Sequence, residues 1–134
     1  RIFLWNSDHK SDDSRVNPTK AATMRLDLFL VGAALGAVSR YLVVTYFKRS
    51  YRFPIGVLVV NVLGAFLLGL VSSSGSSIAY GLVGFCGALT TWSGFSLDLR
   101  TQLQSRDYRN FALNLFLNYG LGVAAAMVGI WVRG

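Results

Sequence analysis

The sequence contains no glutamate; its acids are six aspartates, Asp8, Asp12, Asp13, Asp27, Asp98 and Asp107. It has one cysteine, one histidine and two prolines in 134 residues. Cys86 has no second cysteine to pair with, which excludes an internal disulfide and argues against a cysteine metal site. His9 stands alone in a polar stretch, which leaves no histidine triad or histidine metal centre. Charge is scarce as well: 14% of residues carry it, against about 25% in an ordinary soluble domain. These shortages argue against a soluble enzyme and a secreted disulfide scaffold. No acid–base pair or nucleophile–base set is recognisable, so the chain does not read as an enzyme.

What is abundant is apolar. Hydrophobic residues make up 53% of the chain, and the mean hydropathy is +0.47. The net charge of +7 could suggest nucleic acid. However, the basic residues sit at the ends of apolar runs rather than along one polar face. In that position they anchor segments at a membrane surface and set orientation.

Residues 1–23 are mostly polar and lack a helical period. They carry no apolar core long enough for a signal peptide. With the first methionine at Met24, this stretch reads as a disordered or non-native extension, and 24–134 as the core. Four apolar segments follow, over about 26–47, 54–71, 78–99 and 111–132, each near the ~20 residues a helix needs to cross hydrocarbon. The connectors are KRSYRF (48–53), SSSGSS (72–77) and RTQLQSRDYRN (100–110). The expected fold is therefore an all-α membrane protein of four transmembrane helices. Four short helices enclose little volume, so a transport path calls for a second copy. Lys48, Arg49, Arg52, Arg100, Arg106 and Arg109 would share one side, against Arg25 and Arg133 on the other. That bias predicts a cytoplasmic side for the 48–53 and 100–110 connectors, and Arg1, Lys10, Arg15 and Lys20 of the extension erase most of it.

Polar groups retained at membrane depth are where function is sought. Asn61 sits mid-way in the second segment; its amide either glues helices together or faces an anion path. In the third segment Gly81, Gly84 and Gly87 recur every three residues and precede Thr90, Thr91, Ser93, Gly94 and Ser96. Glycines and hydroxyls together let a helix break near mid-membrane and find partners for the freed backbone; close packing through small residues is the other reading. Such a break offers carbonyls to a hard cation and amides to an anion. Trp92 and Phe95 share a helix face, and their ring edges can face an anion or simply pack. Asn114 and Asn118 share a face of the fourth segment beside Tyr119, as a polar stripe or as glue. Arg40 either snorkels to the interface or draws anions into a vestibule. Asp98 could pair with a local arginine or bond to the broken segment, and Cys86 reads as a packed apolar residue.

Together these motifs resemble the Fluc (CrcB-type) fluoride channels over about Leu28 to Gly129. GAALGAVSRY (32–41) resembles the family's Gly-rich first helix ending in Arg-Tyr, and IGVLVVNVLGAFLLG (55–69) its second helix with a central Asn. GFCGALTTWSGFS (84–96) resembles its hallmark, Gly-Phe-Cys-Gly followed by Thr-Thr-Phe-Ser-Thr-Phe-Ser. The resemblance implies an antiparallel dual-topology dimer in the cell membrane, with a broken third helix and two fluoride pores. It also implies a central structural Na⁺ held by the backbone carbonyls of Gly87 and Thr90. By motif, Asn61, Trp92 and Phe95 line the fluoride path with Thr91 and Ser93 beside them; Asn114 and Asn118 fall at pore positions of the fourth helix, and Arg40 at the vestibule. The departures are Trp92 for a Phe, Gly94 for a Thr, Asn114 for a Tyr, Asn118 for a Ser and Asp98 for a Glu. Some members pair two different subunits of fixed opposite orientation, and the charge bias and altered pore residues also fit such a half. A small multidrug-type antiporter would need a membrane carboxylate, and the first segment offers only Asp27 at its edge. A non-conducting scaffold would use the glycines for packing alone.

Overall fold

The computed structural model describes residues 17–48, 53–72 and 74–134. Arg49, Arg52 and the basic residues before Asn17 lie outside them. Five helices account for nearly everything described: α1 (Pro18–Lys48), α2 (Ile55–Val71), α3 (Ser77–Leu89), α4 (Trp92–Gln104) and α5 (Tyr108–Arg133). Among the described residues there is no strand.

Helix α1 starts earlier than the apolar pattern predicts. Asn17 Oδ1 accepts the Thr19 N–H at 3.1 Å, and Pro18 takes the first helical position, where its missing N–H costs nothing. Pro18–Thr23, the end of the polar extension, is therefore helical. At 31 residues α1 is about 46 Å long, well beyond the ~30 Å hydrocarbon core.

Three stretches are long and apolar enough to cross a membrane: Pro18–Lys48, Ser77–Gln104 and Tyr108–Arg133. Helix α2 is apolar but has 17 residues, about 26 Å, at the short end of the spanning range. The third stretch is broken at Thr90–Thr91, as expected. Its halves have 13 residues each, about 20 Å, so neither would span alone.

Side-chain and backbone approaches set the directions. Gly32 faces the Gly81 carbonyl and Gly36 the Phe85 carbonyl, so α1 and α3 run parallel. Asn61 meets Asn118 and Gly69 meets Ala126, so α2 and α5 run parallel too. Gly56 packs on Val44 and Gly64 on Cys86 and Thr90, so α2 is antiparallel to both α1 and α3. The directions therefore alternate, with α3 and α4 together forming one broken pass. Lys48 and Asp107 lie at one end. At the other, Arg25 stacks on the Tyr80 ring, 5.1 Å from its centroid, and Arg133 donates to the Leu70 carbonyl at 2.6 Å.

The small residues hold the helices at backbone distance. A Cβ on Gly32, Gly36, Gly84, Gly69 or Gly129 would run into a carbonyl of the facing helix, so no larger residue fits there. Cys86 is fully buried, as expected of a packed residue.

The connector 100–110 differs from its sequence reading. Helix α4 runs on to Gln104, leaving only a tight turn before α5. Arg106 N–H donates to the Leu103 carbonyl at 3.1 Å and Asp107 N–H to the Gln102 carbonyl at 2.9 Å. Arg106 has φ 56°, so this is a Schellman turn closed without glycine. Asp107 then caps α5, accepting the Asn110 N–H at 3.3 Å.

Candidate functional site

The break in the third pass is organised by side chains that take over backbone hydrogen bonds. Thr91 N–H donates to Asn61 Oδ1 at 2.9 Å instead of closing on the Gly87 carbonyl. Gly94 N–H donates to Thr91 Oγ1 at 3.0 Å, a side-chain cap that starts α4, instead of closing on the Thr90 carbonyl. Both carbonyls are thereby released from the helical ladder. Gly87 keeps only a 3.5 Å contact from the Thr90 hydroxyl, and it is exposed with open space beside it. Two hard oxygens freed at one break are the donor type that an alkali cation takes.

From Asn61 a chain of carboxamides runs across the helices. Asn61 Nδ2 donates to Asn118 Oδ1 at 2.9 Å. Asn118 Nδ2 donates to Asn114 Oδ1 at 2.7 Å and to the Asn114 carbonyl at 3.1 Å. Asn114 Nδ2 donates to Gln102 Oε1 at 3.3 Å. Asn114 is fully buried, and Asn118 nearly so. These are polar groups removed from water with partners found, as burial demands.

An amide nitrogen carries two hydrogens. Asn118 Nδ2 is engaged inside the chain by two bonds to Asn114. Asn61 uses one. Its other N–H belongs to a residue that lines two adjoining open clefts, of about 330 Å³ and about 160 Å³.

The smaller cleft is walled by Asn61, Trp92, Phe95, Asn118 and Tyr119. The three rings form a mutual cluster: Trp92–Phe95 centroids are 5.6 Å apart, Phe95–Tyr119 6.0 Å and Trp92–Tyr119 6.5 Å. Both pairs with Tyr119 are edge-on, a geometry that aims the positive ring rim at its neighbour. Phe95 is buried, whereas Trp92 is 69% exposed, so the two share a face but not an environment. Ser93 Oγ lies 3.3 Å from Thr91 Oγ1.

The structure thus brings together Asn61, Thr90, Thr91, Trp92, Ser93, Phe95, Asn114 and Asn118. Among the described residues Arg40 makes no hydrogen bond with them; its helix α1 packs on α2, which carries Asn61, and on α3, which leads into Thr90. Asp98 does not bond to the break. Its Oδ2 is buried with no hydrogen-bond partner among the described residues, in an end cavity of about 320 Å³ shared with Lys48, Gln102 and others.

Sequence reading missed Gln102 as a site residue, because it fell in an apparent connector. Tyr119 was noted only as a neighbour of Asn118. A carboxamide twelve residues before Asn114, across a tight turn, is the signal that could have pointed to Gln102.

The model of the family described as CrcB-like protein, Camphor Resistance (CrcB), matches residues 28–130. The chain belongs to the CrcB family. Its CrcB relatives include the Fluoride-specific ion channel FluC of Campylobacter lari, 39% identical over 110 residues, which covers 75% of this chain and 90% of that protein. The Fluoride-specific ion channel FluC 1 of Geobacillus kaustophilus is 40% identical over 106 residues, 76% of this chain and 91% of that protein. That of Parabacteroides distasonis is 34% identical over 116 residues, 80% and 91% respectively. These CrcB relatives carry the names of channels, not enzymes. With three spanning stretches and a fourth apolar helix, this CrcB protein is a multi-pass integral protein of the cell membrane.

Proposed function

We propose that the chain is a passive fluoride-selective channel that lets cytoplasmic fluoride leave the cell and so confers fluoride resistance. The observation that carries this reading is Asn61: its nitrogen donates to Asn118, its oxygen accepts from Thr91 N–H, and it walls a cleft with Trp92, Phe95 and Tyr119 while its second N–H has no partner among the described residues. Fluoride is small and strongly hydrated, so a path must replace its water with donors. An immobilised amide, the Thr91 and Ser93 hydroxyls and aromatic rims supply donors without a fixed cation that would trap the ion. Arg40 would act through its charge on anions entering the vestibule.

The working form in this reading is an antiparallel dimer with two pores. Each chain offers Gly87 and Thr90 carbonyls, and two chains would offer four oxygens to a central structural Na⁺ that fixes the subunits to each other. A second reading, one half of an obligate heterodimer, is favoured by Trp92, Gly94 and Asn114 standing where the family pattern has Phe, Thr and Tyr. The relatives' names favour fluoride over the antiporter and scaffold readings.

The test is fluoride efflux from liposomes holding only this purified chain, with Asn61→Ala beside it. Fluoride-selective efflux that disappears in the variant supports the homodimeric channel. Silence from folded protein, relieved by adding a paralogous subunit, supports the heterodimer. Silence from both overturns the channel reading.

A further inference from the structure

We propose that Gln102 is a positioning residue for the ion path: it anchors a one-way relay of carboxamides that fixes which way Asn61 presents its N–H. The proposal rests on the channel reading for its flux readout.

The relay has a single polarity. Thr91 N–H points to Asn61, Asn61 N–H to Asn118, Asn118 N–H to Asn114, and Asn114 N–H to Gln102. Each carboxamide accepts on its oxygen and donates from its nitrogen, so turning one over would set oxygen against oxygen and nitrogen against nitrogen at both of its contacts. Hydrogen bonds in such a chain polarise one another and switch orientation together. One end is fixed by a backbone N–H, which cannot flip. The other end is fixed by Gln102 Oε1, which accepts from the fully buried Asn114. An Asn114 donor without that acceptor would be unpaired in a place where water does not reach it.

The Gln102 main chain is itself held. Its carbonyl accepts the Asp107 N–H at 2.9 Å in the Schellman turn, and that turn sets α4 against α5 so that residues twelve apart in sequence meet. Gln102 also lines the end cavity that contains Asp98 and Lys48. It does not line the aromatic cleft, and its side chain is hydrogen-bonded to Asn114 and to none of the cleft's walls among the described residues.

Three variants and two readouts test this. Gln102→Leu removes the acceptor at similar size; Gln102→Glu keeps an acceptor oxygen at the same reach. Loss of outer hydrogen-bond partners costs about 10–100-fold at metal sites, and Gln102→Leu is expected to lower fluoride efflux by about tenfold while Gln102→Glu restores most of it. In an Asn118→Leu background, where the relay is already cut, Gln102→Leu is expected to add nothing. The second readout is the side-chain amide NMR signal of Asn61 in nanodiscs, which Gln102→Leu is expected to shift and Gln102→Glu to leave near its original position. Full efflux in Gln102→Leu, additive losses in the double variant, or an unmoved Asn61 signal would each overturn the proposal. If the unaltered chain moves no fluoride, alone or with a paralogous subunit, the channel reading fails, and the Asn61 signal still decides the relay.

Discussion

Asn61 and Asn118, 57 positions apart in sequence, are joined by a 2.9 Å hydrogen bond between α2 and α5. The bond turns two isolated asparagines into one unit. It engages the Asn118 oxygen and leaves Asn61 as the member with a donor to spare. Asn118→Leu is near in size and strands Asn61 Nδ2 on one side and Asn114 Oδ1 on the other. Its expected cost is about 2–4 kcal/mol of stability, measured by unfolding in detergent, with fluoride efflux lowered about tenfold and still measurable.

The glycines divide into two classes. Gly36→Leu would drive a side chain into the Phe85 carbonyl of α3, an overpacking expected to cost at least ~2 kcal/mol and to show as poor yield of folded protein. Gly120 has nothing within 4 Å of its Cβ position. Gly120→Ala is expected to be neutral or to stabilise by up to about 1 kcal/mol through helix propensity. Thermal unfolding of the two proteins side by side checks the contrast.

Trp92 is mostly exposed and touches Phe95 and Tyr119 only through its rings. Trp92→Phe keeps a ring edge at the cleft. Stability is expected to change by no more than about 0.5 kcal/mol, with fluoride efflux retained. Loss of efflux in a folded variant would assign the indole N–H a direct part in passing the ion.

Exchange of sodium for a bulky organic cation throughout purification is expected to lower the melting temperature, and returning sodium to restore it. A ligand present at a hundred times its dissociation constant stabilises by about 2.7 kcal/mol. An unchanged melting temperature across the exchange would remove the Gly87 and Thr90 carbonyls from that role.

Arg106 sits at φ 56° in the turn that aligns Gln102 with Asn114. A side chain there carries a steric cost that glycine avoids. Arg106→Gly is expected to raise stability by up to ~1 kcal/mol, read as a higher unfolding midpoint. A lower midpoint would mean that the arginine side chain contributes more than its backbone strain removes.

The spans, the break and the polar groups are legible in the residues alone, because each rests on local chemistry. A run of ~20 apolar residues can only be satisfied in hydrocarbon as a helix. Gly-rich packing followed by Thr-Thr marks where the backbone can leave the ladder, and Thr91 is placed to cap the helix that follows. The order of motifs from Gly32 to Ser96 was enough to indicate the family. Which partner each polar group takes follows from packing between distant helices. Nothing local to Asn118 says that its nitrogen is engaged by Asn114, or that Asn61 keeps a donor to spare. Gln102 looked like part of a connector because helix α4 outlasts its apolar pattern and ends in a turn closed by an arginine. The early start of α1 was hidden for a similar reason: Asn17 and Pro18 begin a helix by capping, without an apolar stripe. Partner choice depends on which helices lie side by side, and that is fixed by glycine contacts such as Gly36 on Phe85 and Gly69 on Ala126, across 49 and 57 positions of sequence.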